Sequence, residues 1–176
     1  MMTTFKSLTE EVLAATEDLS TVTPADLESL KGRAAAAPRR RARILLHGDP
    51  AASRHEMLIA MGLGQYLPPH RNESGAKSYT LLEGALVLVR FDDDGTVRDH
   101  QWLAGNRPSV PFMARFERPV WHMCLYVSDP VVYIEHVPGP HTATRFADWA
   151  PPPGSKDAFA YLQMLHHTLG IPNVGE

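Results

Sequence analysis

Apolar residues recur along this chain with two different periods, and the change from one to the other marks out its parts. Within the first 37 residues, Leu8, Val12, Ala15 and Leu19 stand three or four apart behind a Ser7-Leu8-Thr9-Glu10 capping box, which predicts a helix. Thr23-Pro24 offers an N-cap and a proline at the first helical position, with Asp26 and Glu28 in the first turn; Pro38 closes this second helix. From Arg43 to about Val137 the pattern shortens to brief apolar or alternating runs between turn signals. It predicts strands at 44–47, 55–61, 79–82, 85–91, 97–103, 109–112, 122–127 and 131–137. Asp94-Gly95 supplies a hairpin turn, because glycine takes positive φ at little cost. So many short strands point to a double-sheet jelly roll or a small barrel. Trp149-Ala150-Pro151-Pro152-Pro153-Gly154 reads as a stiff connector. Residues 155–169 read as one amphipathic helix with Phe159, Leu162, Leu165 and Leu169 on its apolar stripe. The expected parts are an N-terminal helical segment with a basic linker (1–42), a jelly-roll body (43–140), and a Pro-rich connector with a C-terminal helix (141–176).

Composition narrows the setting. With 44% hydrophobic and 21% charged residues the chain can bury a core without staples. Cys124 is the lone cysteine, so no internal disulfide forms and a reducing, cytoplasmic location is expected. No run approaches the roughly 18 apolar residues of a membrane helix. The opening MMTTFKSLTEEVL lacks the basic stretch and apolar block of a secretory signal, so no membrane partner is expected. The net charge of −3 is uneven, with acids crowded into 1–30 and bases into 31–43. That basic block, KGRAAAAPRRRAR, is read as a solvated helix end and linker whose arginines pair with the acidic segment before it. A nucleic-acid partner is not expected, since the basic balance and interleaved aromatics of such surfaces are missing.

Of the nine histidines, His70 and His122 stand in a recognisable frame. Gly64 precedes His70-Arg71-Asn72, then Lys77, then Gly84, at the spacing of the first cupin motif, a glycine before H-x-H-x4-E-x6-G. His122 closes Glu117-Arg118-Pro119-Val120-Trp121-His122, where the second motif has its histidine; Glu117 and Pro119 replace that motif's proline and glycine. The stretches RARILLHGDPAASRHEMLIAMGLGQYLPPHR, LLEGALVLVRFDDDGTV and GPHTATRFADWAPP, together with the Trp121-His122 pair, resemble the WbuC family of cupin-fold metalloproteins over roughly residues 39–153.

This resemblance implies a mainly β fold: a single cupin double-stranded β-helix, or jelly-roll barrel, with two N-terminal helices and one C-terminal helix, pairing as a homodimer. It also implies a small-molecule ligand, sugar-related or carboxylate-bearing, bound or transformed inside the barrel. In cupins, two histidines and a glutamate of the first motif and the histidine of the second hold one divalent metal (zinc, iron, nickel or manganese). Carried over position by position, the candidate metal ligands are His70, Asn72 and His122, and Lys77 stands where the glutamate belongs. An ammonium about 4 Å from a divalent ion would cost roughly 8 kcal/mol at an effective dielectric of about 20. Glu73, Cys124, His136 or His55 could complete a ligand set instead. A metal-free version takes the substitutions at face value. Lys77 and Arg71 beside His70 and His122 would form a cationic pocket for a carboxylate or phosphate. Tyr66 and Tyr79 would add hydroxyls and Trp121 a stacking wall, while Lys77 and His122 are the candidate catalytic pair for proton transfer. Both versions stay open at this point, as does a non-catalytic binding, sensor or assembly role.

Overall fold

The computed structural model describes residues 5–140 and 144–171. The fold is mainly β, with two sheets and two helices. In chain order the elements are β1 (Phe5–Ser7), β2 (Val12–Ala15), α1 (Pro24–Ala36), β3 (Arg41–Leu45), β4 (Arg54–Met61), β5 (His70–Arg71) and β6 (Lys77–Glu83). They continue with β7 (Ala85–Phe91), β8 (Val97–Ala104), β9 (Met113–Phe116), β10 (Trp121–Tyr126), β11 (Val131–Pro138), β12 (Arg145–Phe146) and α2 (Lys156–Thr168).

Strands β4 to β11 are divided between two antiparallel sets, β4-β11-β6-β9 and β5-β10-β7-β8, alternating except at the β7–β8 hairpin. That order is the connectivity of two Greek keys rolled together, a jelly roll. β1, β2 and β3 lengthen the first sheet to seven strands, and β12 lengthens the second to five. Each inward face meets the other in a core that includes Tyr79, Leu81, Leu86, Leu88, Tyr126 and Tyr133. The outward faces are covered by helices. Leu30 and Ala34 of α1 pack on Ile44, Leu58 and Val132, and Leu162 and Leu165 of α2 pack among Val87, Val89 and Met123. Alternate residues along a strand therefore belong to different layers.

The helix expected at Leu8–Leu19 is not there. Residues 5–15 form the hairpin of β1 and β2, closed by Leu8 and Thr9 amides donating to the Val12 carbonyl. A two-residue period wins: Leu13 and Ala15 are buried while Leu8 and Leu19 are exposed. The Ser7–Glu10 capping box is replaced by local turn bonds, with the Ser7 hydroxyl donating to the Thr9 carbonyl and the Glu11 amide to the Thr9 hydroxyl. β2 runs parallel to β3, which ties this segment to the sheet. Only one helix precedes the body among the described residues, and its N-terminus is as expected. Thr23 caps α1, accepting from the Asp26 amide while the Asp26 carboxylate receives the Thr23 amide.

The strand expected at 109–112 starts instead at Met113. Pro111 has no amide to donate, and Asn106 and Ser109 sit at φ of 54° and 68°, a turning backbone that delays the strand. The Asp94-Gly95 hairpin forms as expected, with Gly95 at φ 89° and the indole of Trp149 packed where a side chain would go. α2 matches the expected C-terminal helix, but Phe159 is exposed and its buried stripe is Ala158, Leu162, Leu165 and His166. His141 and the start of the expected connector lie outside the described residues.

Candidate functional site

His70 and His122 face each other across the β5–β10 pair, with ring centroids 4.5 Å apart. Both rings are fixed the same way. Nδ1–H of His70 donates to the Pro68 carbonyl at 3.0 Å, and Nδ1–H of His122 to the Val120 carbonyl at 2.7 Å. Each leaves Nε2 as the lone-pair nitrogen. Nε2 of His122 accepts from the Tyr79 hydroxyl at 2.9 Å, so that ring is fully engaged; no such partner holds Nε2 of His70 among the described residues. Burial, reinforced by Lys77, pushes His70 down to about 3, and burial with His70 and Lys77 nearby holds His122 well below the ordinary imidazole range. Both rings are neutral at physiological pH. Burial likewise lifts Cys124 to about 12 and Tyr79 well above the usual phenol value, so both stay protonated.

Lys77 starts β6 and turns inward, only 7% exposed. Its ammonium lies 3.1 Å from a carboxylate oxygen of Glu135 on β11 and 4.9 Å from the centroid of the Tyr79 ring. Glu135 was not among the residues expected from the sequence. A period-two signal was available: on the 131–137 strand it shares a side with Tyr133 and Val137, so an acid stands on the core face.

These groups border a cavity of about 490 Å³ between the sheets, within the range of small-molecule sites. His70, Asn72, Lys77, Glu135, Tyr126 and Tyr133 line one part of it. Arg41, Arg43 and Glu11 line another, and the stacked rings of His47 and His55, with centroids 3.9 Å apart, a third.

The remaining residues singled out in the sequence stand elsewhere. Arg71 follows His70 and so faces the opposite way, with its guanidinium 4.6 Å over the Trp121 ring and 2.6 Å from Glu73. Trp121 precedes His122 and packs in the α2 layer, its indole N–H donating to Asp93 at 2.9 Å. Tyr66 donates to the Pro151 carbonyl at 2.9 Å and meets Tyr161 edge-on. Three of the expected pocket residues are thus brought to the outer face, where they hold loops and α2.

The fit of a divalent metal can be judged from the donors. Asn72 Oδ1 already accepts from the Ser74 amide at 3.0 Å and hydroxyl at 2.6 Å. Glu73 is drawn outward by Arg71, and His136 faces away from the core towards Ser78 and Glu56. Cys124 is a protonated thiol, a poor ligand. Among the described residues no group of three or more His, Cys, Asp or Glu is placed to hold a metal. A catalytic zinc or non-haem iron needs about three good ligands, and here an ammonium occupies the remaining position. The donor set does not fit the metal that the resemblance implies.

A family model described as a domain of unknown function (DUF6016) matches residues 22–103, which includes His70, Asn72 and Lys77 and stops short of His122 and Glu135. No curated protein matches the chain. Among solved structures, an oxalate oxidase is similar at 12% identity, over 78% of this chain and 69% of its own, with a TM-score of 0.49. A mutant of Bacillus subtilis oxalate decarboxylase is similar at 15% identity, over 53% of this chain and 24% of its own, with a TM-score of 0.44. A conserved protein of unknown function from Streptococcus pyogenes shows 11% identity over 60% of this chain and 80% of its own, with a TM-score of 0.44.

The bond between Tyr79 and His122 gives a direct test of the inner network. Tyr79→Phe leaves Nε2 of a buried imidazole without a donor and is expected to destabilise the fold by about 1–3 kcal/mol. Urea denaturation would measure it; a loss below about 0.5 kcal/mol would mean that water replaces the hydroxyl.

Proposed function

We propose that this chain is a small-molecule cupin of the WbuC kind that binds a carboxylate-bearing or sugar-related metabolite inside its jelly roll, without a divalent metal and without turning it over. The observation that carries the reading is the Lys77–Glu135 pair in the cavity wall beside the lone-pair nitrogen of His70. Together they offer a cationic donor, an anionic acceptor and a neutral acceptor within one small volume, a set suited to a hydroxyl next to a carbonyl or carboxylate. The neighbouring titratable groups favour binding over proton transfer. Neutral His70 and His122, with protonated Tyr79 and Cys124, are held far from the neutral range in which a general acid or base works best.

The test is a panel of hydroxy acids, keto acids and sugar acids screened by thermal shift and confirmed by calorimetry. A true ligand at one hundred times its Kd should add about 2.7 kcal/mol of stability. Binding should survive chelator and fall at least tenfold in the double variant Lys77→Met/Glu135→Leu, which removes both charges while keeping the volume. Equal binding by that variant would overturn the role of the pair. Stoichiometric metal in untagged protein, lost in His70→Ala, would overturn the metal-free reading.

A further inference from the structure

The charge balance of the cavity is uneven. Lys77 is compensated by Glu135, whereas the β3 wall is only partly compensated. Arg41 and Arg43 alternate with Ala42 and Ile44, which go beneath α1, so both arginines line the cavity about 7 Å apart along the strand. The carboxylate that meets Arg41 is Glu11, just ahead of β2. Glu11 is chelated from outside by Arg39, through Nε at 3.0 Å and through a second, shorter contact, and lies 3.6 Å from Arg41 Nε. Arg43 has no carboxylate within 4 Å among the described residues. Two guanidinium groups, of Arg39 and Arg41, thus share one carboxylate, and the third, of Arg43, has none in reach. Arg41 is partly desolvated as well, and burial with Arg39 and Arg43 nearby lowers its pKa.

β3 and β6 are three strands apart, roughly 14 Å across the sheet, and Glu135 draws the Lys77 ammonium towards β11. A compact ion such as a two-carbon acid does not span that gap. Along β4 the wall between is apolar, at Met57, Ile59 and Met61, and Leu45, Leu67 and Phe146 also line the cavity.

We infer that the ligand is an elongated amphipathic organic acid: its anionic head sits between Arg41 and Arg43, its apolar body lies along β4, and a hydroxyl or carbonyl at its far end meets Lys77, Glu135 and His70. The inference rests on the proposed binding role of this cavity and selects, from the ligand classes named there, acids with a hydrocarbon body over sugars. It also gives Glu11 a place, as a resident carboxylate that the incoming head displaces from Arg41.

Calorimetry with butyrate, hexanoate, octanoate, omega-hydroxyoctanoate and uncharged octanol tests it on the full chain. Affinity is expected to rise roughly fourfold per methylene along the carboxylate series. Arg43→Gln should weaken octanoate at least tenfold and leave octanol unchanged, which also reports that the cavity is intact. Glu11→Gln should strengthen octanoate several-fold. The omega-hydroxyl should improve binding to the native chain but not to Lys77→Met/Glu135→Leu. No binding by any acid of the series, or loss of octanol and octanoate alike in Arg43→Gln, would overturn the inference. If the double variant loses a hydroxy-acid ligand while Arg43→Gln keeps it, the anionic head is misplaced and the binding role stands. If Arg43→Gln loses the acid while the double variant keeps both it and the preference for the omega-hydroxyl, the Lys77–Glu135 end fails.

Discussion

Glu135→Leu is expected to destabilise the protein by about 3–5 kcal/mol, because it leaves the Lys77 ammonium in the cavity wall with no counter-charge. Lys77→Met should cost a comparable amount by stranding the carboxylate. Installing both changes together is expected to restore most of the loss, and the double variant could equal or exceed the native chain, since desolvating two charges costs about as much as their attraction returns. Urea midpoints for the four proteins of this cycle give the coupling directly. Strict additivity of the two single losses would show that the charges do not depend on one another, and a single loss under about 1 kcal/mol would show that water reaches them. The same cycle separates roles: a pair retained for stability should be dispensable in the double variant, whereas a pair retained for a ligand should not.

Acid should weaken the fold earlier than carboxylate protonation alone requires. An unfolded chain takes up protons on His70 and His122 near pH 6.5. The folded chain refuses them, with His70 held down to about 3 and His122 well below its ordinary range. The stabilising contribution is therefore complete above about pH 6.5 and is lost as pH falls towards the folded values, by up to roughly 1.4 kcal/mol per pH unit for each ring. Denaturation curves between about pH 7 and pH 5 measure the slope before most carboxylates titrate. His47, also lowered by burial, adds to the slope, and His70→Gln should reduce it measurably. A flat profile across that range would mean that the two rings charge freely in the folded state.

Much of the body is legible in the alternation of its residues, and the departures fall where neighbours in the sequence belong to opposite layers. The strands at 85–91 and 131–137 were clear because long β-branched and aliphatic runs have few other uses at that length. Cys124, two residues after His122, shares its parity, and the structure has both on the core face. The same rule, applied one residue away, sends Arg71 and Trp121 to the outside, yet closeness in the sequence to His70 and His122 suggested a shared pocket. Glu135 escaped notice for a related reason. An isolated acid in a strand reads as surface until its parity is counted against Tyr133. The N-terminal hairpin was obscured by a coincidence, since Leu8, Val12, Ala15 and Leu19 fit a helical stripe while Leu13 carries the burial. β5 and β12, two residues each, are too short to leave any periodic trace and exist only because neighbouring strands offer them partners.

The parallel pairing of β2 with β3 has a practical consequence for anyone trimming this chain. Removing residues ahead of α1 would strip the Glu11 carbonyl from the Arg43 amide and leave the outer margin of the long sheet with unmet backbone groups. Such a margin recruits other chains, so a shortened protein would be prone to self-stick and would open the flank of its cavity in the same cut.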